Sequence, residues 1–194
     1  MTTARHLRSS ALALLVWTLT LPAHAHPRDE LGQASYIGIT QRAVTIELSL
    51  TPGDQLAPSF ATLAQKPDFA QQVLSKLSLT LEGKPLTLKL VRGPIKTPEQ
   101  STKLFFEAPL ASLSAGAHTL RFENQYAPFK SGYLATTLAS TDGMLIGLQA
   151  HDALQKTLTV SFQAPATRLT PMTWIVGGLL VLCLLYAISR SKRL

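Results

Sequence analysis

The chain has 194 residues, a formal net charge of +7 and a single cysteine. Arg5, Arg8, Arg190, Lys192 and Arg193, at the two ends, account for +5 of that charge, so the rest of the chain carries only +2. No basic run or basic–aromatic stripe remains there, so nucleic acid is not an expected partner. Cys183 lies in an apolar C-terminal stretch, where it fills space among apolar neighbours, and no disulfide can staple the rest of the chain.

In chain order, the first segment reads as a secretory signal over residues 1–25. Arg5 and Arg8 give a positive start, Ala11 to Leu21 is a short apolar run, and Pro22 ends it. Ala23-His24-Ala25 then offers small residues where a signal peptidase cuts, which would leave His26 as the new N-terminus. The apolar run is much shorter than the roughly 20 residues that a spanning helix needs.

Residues 26–166 have the length of one domain and read mainly as strands. Gln33 to Thr40 is rich in strand formers, and Val44 to Leu50 alternates, with Val44, Ile46, Leu48 and Leu50 on one face. Thr51-Pro52-Gly53-Asp54 turns the chain. Asp68 is placed to cap a short helix whose buried face is Phe69, Val73, Leu74 and Leu77, and a weaker helical turn covers Ser59 to Gln65.

Leu77 to Leu81 and Leu86 to Leu90, joined by Glu82-Gly83-Lys84, make the clearest hairpin signal. Gly93 to Gln100, with two prolines and no periodicity, is expected as an exposed loop. Further strands are expected at Lys103 to Glu107, His118 to Glu123, Gly132 to Leu138, Met144 to Ala150 and Thr157 to Gln163. Short strands at this spacing predict a mainly β fold, an antiparallel immunoglobulin-like β-sandwich with one short helix. An open α+β layer is the alternative.

A linker at 167–171 leads to an expected transmembrane helix at 172–189 and a tail at 190–194. The stretch from Leu169 to Ser189 is uncharged and has no polar stripe, and at roughly 1.5 Å per residue it spans about 30 Å. Trp174 and Tyr186 lie near its ends, and Arg190, Lys192 and Arg193 follow at once, so the tail is expected in the cytoplasm. Both ends of the chain therefore give one topology: a single-pass protein of a bacterial inner membrane, its domain periplasmic.

Two constellations invite a functional reading. After cleavage, the amino group and imidazole of His26 could together chelate copper or nickel, while Pro27 blocks a site built from successive backbone nitrogens. His118 and His151 are the other histidines of the mature chain, and Asp29, Glu30 and Asp152 could donate oxygens. The competing reading is a frayed terminus and two surface histidines.

The second constellation is the stretch from Asn124 to Tyr133, where Tyr126, Pro128, Phe129 and Tyr133 concentrate in a loop between strands. It is an interaction loop or, on the reading favoured by how aromatics usually behave, the closure of the sandwich edge. No Gly-x-Ser-x-Gly elbow, phosphate loop, paired carboxylates or calcium loop points to catalysis or to calcium.

His26-Pro27-Arg28-Asp29-Glu30, Leu48 to Gly53, Gly116 to Asn124 and Tyr126-Ala127-Pro128 together resemble the exported N-terminal domains of HupE/UreJ-like, nickel/cobalt-permease-related bacterial membrane proteins. The resemblance covers most of residues 26–165 and implies a periplasmic β-rich domain associated with metal-ion handling. Such proteins often continue into several ion-carrying helices, whereas one apolar helix offers no polar pathway for transport. Some of the related domains carry an Asp-rich loop before the helix, where Ala61 to Asp68 has Asp68 alone. The expected function is a non-enzymatic accessory or interaction protein with a membrane or periplasmic protein partner. A metal module at His26 and an extracytoplasmic hydrolase are the alternatives.

Overall fold

The computed structural model describes residues 29–98, 100–111, 113–140 and 142–166. The expected signal segment, His26, the linker, the transmembrane helix and Cys183 lie outside the described residues. Among the described residues, no helix is long and apolar enough to cross a membrane.

The described residues form ten strands and two short helices in the order β1 (Leu31–Ile39), β2 (Ala43–Pro52), α1 (Ala57–Ala64), α2 (Phe69–Leu74), β3 (Leu77–Leu81), β4 (Lys84–Pro85), β5 (Lys89–Lys96), β6 (Thr102–Pro109), β7 (Gly116–Asn124), β8 (Ser131–Thr137), β9 (Leu145–His151) and β10 (Thr157–Ala164). They form two five-stranded sheets, β5-β6-β2-β1-β8 and β4-β3-β7-β10-β9. The fold is mainly β, with two antiparallel-rich sheets sharing one core.

Alternation decides which side chains enter that core. Val44, Ile46, Leu48 and Leu50 are buried, on the face that their spacing predicts. Leu104, Phe106 and Ala108 continue this layer, and Leu120, Phe122, Leu158, Val160 and Phe162 meet it from the second sheet. Each large side chain buried in this way stabilises the fold by about 1.5–3 kcal/mol.

Several sequence expectations need correction. β1 pairs with β8 in parallel, Leu31 opposite Ser131 and Ile37 opposite Thr137, so the sheets are not wholly antiparallel. Among the described residues there are two short helices rather than one. α1 has Pro58 in its first turn and buries Phe60 and Ala64, one turn apart. At the start of α2, Asp68 occupies the cap position without bonding a backbone N–H, and its carboxylate accepts a hydrogen bond from Gln72 Nε2 at 2.7 Å.

The Leu77–Leu90 hairpin is cut short: β4 is only Lys84–Pro85, and a bond from Leu86 N–H to Leu79 O at 2.8 Å follows it. After it the chain crosses to the other sheet, and β5 runs through the expected loop as far as Lys96, with irregular register between Leu90 and Ile95. Gly93 makes this route sterically feasible. Its φ is +115°, and a Cβ there would lie 2.7 Å from the Lys103 carbonyl oxygen.

The registers sort the loops onto two ends. β10 finishes at Ala164, opposite Gly116 of β7, with Gln163 opposite Leu145 of β9. The β1–β2 turn, the 110–115 segment and the 138–144 loop share this exit end: Leu110 N–H donates to Arg42 O, and the Ser140 hydroxyl to Ile39 O. The helices, the 125–130 loop and the β9–β10 turn occupy the opposite, distal end, roughly 25 Å away at 3.3 Å per strand residue.

At one side the edge strands β8 and β9 meet without backbone pairing, and side chains join them. Thr137 N–H donates to Gln149 Oε1 at 3.2 Å, and His151 Nε2 donates to Ala135 O at 2.7 Å. These bonds partly satisfy the free edge of β8.

Candidate functional site

The distal 125–130 loop is built on a buried polar cluster. Gln33 and Asn124 point into the core at parities that would otherwise hold apolar residues, and they are 3 % and 2 % exposed. The Gln33 amide donates to Tyr126 O at 2.7 Å and to Ser131 Oγ at 3.0 Å, and its Oε1 accepts from Asn124 Nδ2 at 3.0 Å. Asn124 Oδ1 accepts from Tyr126 N–H at 3.0 Å, and Tyr133 OH donates to the same Tyr126 carbonyl at 3.0 Å. Both ends of the loop are thus tied to one buried pair, and a buried pair with its bonds made specifies one conformation.

The four loop residues singled out from the sequence divide in role. Tyr126 is buried, its ring edge-on to Phe69 at 6.4 Å, and Phe69 is in turn edge-on to Phe60 at 6.1 Å. This aromatic chain fastens the loop to both helices. Phe129 packs part-buried against the core, while Pro128 is exposed at the loop tip. Tyr133 is part-buried, with Lys156 Nζ 4.9 Å from its ring centroid. Packing therefore claims Tyr126 and Phe129, and Pro128 and Tyr133 stay available at the surface.

Tyr126 OH is buried without a hydrogen-bond partner. Burial pushes its pKa up to about 12. A phenol that resists ionisation stabilises the fold fully below pH ~10, and this contribution is lost as pH rises from there through about 12. Tyr126→Phe is therefore expected to raise stability at neutral pH by about 1 kcal/mol, since it removes an unsatisfied buried group. It should also remove the step near pH 12 from the ultraviolet absorbance titration. Denaturant unfolding at pH 7 and pH 11 checks both, and a destabilised variant would show that the hydroxyl has a partner.

Two hollows flank Tyr133. One, of about 440 Å³, lies on the outer face of the first sheet, lined by Gly32, Ala34 and Gly132 together with Tyr36, Tyr133 and Glu30. Gly32 stands opposite Gly132 in the parallel register, so two missing side chains coincide. The other, of about 450 Å³, lies between the loop and the β9–β10 turn, where Phe129 and Lys130 face Leu154 and Lys156. Lys130 bonds to Glu30 and lies near Asp29, and both hold its ammonium pKa above the usual range. The small outward residues at 32, 34 and 132 were the signal for the first hollow, invisible until β1 and β8 are known to be neighbours.

The histidines are not brought together. His118 Nε2 donates to Ser114 O at 2.8 Å, its Nδ1 is 3.4 Å from Glu82 Oε1, and its ring lies 5.4 Å from that of Phe162. His151 is engaged with Ala135 O at the other end of the sheet. Their partners on β10, Phe162 and Leu158, are four residues apart, and β7 and β9 lie on opposite sides of β10. The two histidines are therefore separated by about 16 Å. Among the described residues no three His, Cys, Asp or Glu side chains are grouped to hold a metal ion. Asp152 is also committed, its carboxylate accepting from Thr157 N–H at 2.9 Å. No family model matches the chain, and no curated protein sequence matches it.

Proposed function

We propose that the protein is a non-catalytic accessory module, tethered at the periplasmic face of a bacterial inner membrane, which docks a membrane or periplasmic protein partner through the distal end of an immunoglobulin-like sandwich. The observation that carries this reading is the loop from Gln125 to Lys130. Its backbone is held by the buried Gln33–Asn124 pair, and its tip presents Pro128 beside the two hollows at Tyr133. A surface ordered in advance loses little conformational entropy on binding. The outer hollow, with small residues at 32, 34 and 132, Tyr36 and Leu134 beside them and a carboxylate at Glu30, has the shape and chemistry to take an extended segment of a protein partner. The distal end lies opposite the end from which the chain continues toward Leu169, so an anchor there would hold the loop away from the bilayer.

The link to metal-ion handling rests on the sequence resemblance. Copper or nickel capture would fall to the terminal chelate of His26, because His118 and His151 already donate to backbone carbonyls. Loss of copper binding in His26→Ala would support that role, and unchanged binding would remove it.

The docking surface is tested by placing a photo-crosslinking amino acid at Pro128, at Tyr133 and, as a control, at Lys89 in the full chain in native membranes. A common protein adduct at 128 and 133 that is missing at 89 is the expected outcome. Equal adducts at all three positions, or adducts at 89 alone, would reject the distal end as the docking surface.

A further inference from the structure

We infer that the corner formed by β8, the 138–144 loop and β9 lies against the bilayer itself, as an apolar contact beside the anchor. This inference rests on the reading that residues 172–189 span the membrane. Between Ser131 and His151 the only charged side chain is Asp142, and the 109–118 segment, at the same end of the fold, has none. The other turns of this end carry Arg42, Glu82 and Lys84, and the distal loops carry Asp54, Lys66, Asp68, Lys76, Lys130 and Asp152.

The uncharged corner also exposes leucine. Leu138, just after β8, is 47 % exposed, and Leu145 and Leu148 on β9 are 66 % and 78 % exposed. The parity of β9 explains this. Ile146, Gln149 and His151 take the inward positions opposite Phe162, Val160 and Leu158, and the register shift between Val160 and Phe162 turns Leu148 outward with Leu145. Several exposed leucines in an uncharged stretch of this kind mark a contact with a partner or a membrane.

Where the chain goes next identifies the occupant. Gln163 stands opposite Leu145, and a Cβ on Gly143 would lie 3.6 Å from Pro165. The described chain ends at Ala166, six residues before the expected membrane helix begins at Met172. Six residues reach at most about 20 Å. An anchored chain therefore keeps Leu138 and Leu145 within reach of the headgroup region, and burying leucine at that boundary is favourable. No basic cluster accompanies them, so the contact is apolar and does not call for anionic lipid. It fixes the tilt of the sandwich and aims the distal loop.

The test uses the full chain in nanodiscs of zwitterionic lipid, with Cys183→Ser as background and a nitroxide at Leu138→Cys, Leu145→Cys, Leu148→Cys or the distal control Ala153→Cys. Collision with oxygen, which favours lipid, is compared with collision with a water-soluble nickel chelate. The expected result is a severalfold higher oxygen-to-nickel ratio at 138 and 145 than at 153, with 148 between them. Equal ratios in a chain that resists alkaline-carbonate extraction would overturn the bilayer contact and leave the anchor standing. Short label-to-label distances between copies at 145 would overturn it in favour of a second copy. Release of the chain by carbonate would overturn the anchor and this inference together.

Discussion

Replacing Gln33 with alanine is expected to cost about 3 kcal/mol of stability and to loosen the distal loop before the rest of the domain. Three hydrogen bonds go with the side chain: two from its amide, to Tyr126 O and Ser131 Oγ, and one from Asn124 Nδ2. Their losses are unequal. Tyr126 O keeps the Tyr133 hydroxyl, and Ser131 still donates to Phe129 O. Asn124 Nδ2 loses its acceptor in a site 2 % exposed, so most of the cost falls there, as a stranded donor of about 1–3 kcal/mol plus the space left by the deleted atoms.

Chemical denaturation gives the global figure, and amide exchange at Tyr126 and in the 127–130 segment gives the local one. The double variant Gln33→Leu with Asn124→Leu should recover part of the loss, because removing both partners strands neither. A loss below about 0.5 kcal/mol with loop exchange unchanged would mean that the pair does not organise the loop.

Removing residues 167–194 is expected to lower capture of the partner by about 10²–10⁴-fold at equal protein amount, with the domain still folded. The core closes within the described residues, so the truncation leaves its packing untouched. What it removes is confinement to the surface that a membrane partner shares. Crosslinking from position 128 in membranes, compared between full-length and truncated chains, reads the difference. Equal yields would show that affinity resides in the docking surface alone and that the anchor contributes nothing to recognition.

Much of the fold was legible because alternation is a local signal. The inward face of β2 could be assigned from Val44, Ile46, Leu48 and Leu50 alone, and β6, β7, β9 and β10 lie within two residues of their expected spans. The errors fall where a long-range partner overrides local pattern. Leu86 and Leu88 alternate like a strand, but after the Leu86 N–H to Leu79 O bond the chain leaves the sheet, and both side chains pack against the core during the crossover between sheets. The prolines at 94 and 98 suggested a loop, but an edge strand needs few ladder bonds, and Gly93 absorbs the backbone geometry that β5 requires. The parallel β1–β8 pairing joins segments about a hundred residues apart and leaves no local trace.

The candidate site was legible only in part. The aromatic run from Tyr126 to Tyr133 marked the place, while the residues that organise it, Gln33 and Asn124, were missed. Their signal was a polar residue at an inward parity, Gln33 sharing its face with Leu31, Ile37 and Ile39. Such a residue is meaningful only once it has a buried partner, and Asn124 comes 91 positions later.

The tethered, exported topology is tested most directly by intact-mass spectrometry on protein extracted from carbonate-washed membranes. The expected result is a chain that begins at His26, retains Arg190 to Leu194 and stays with the membrane pellet. A chain that still begins at Met1, or one recovered in the soluble fraction, would contradict an exported module held by a C-terminal anchor.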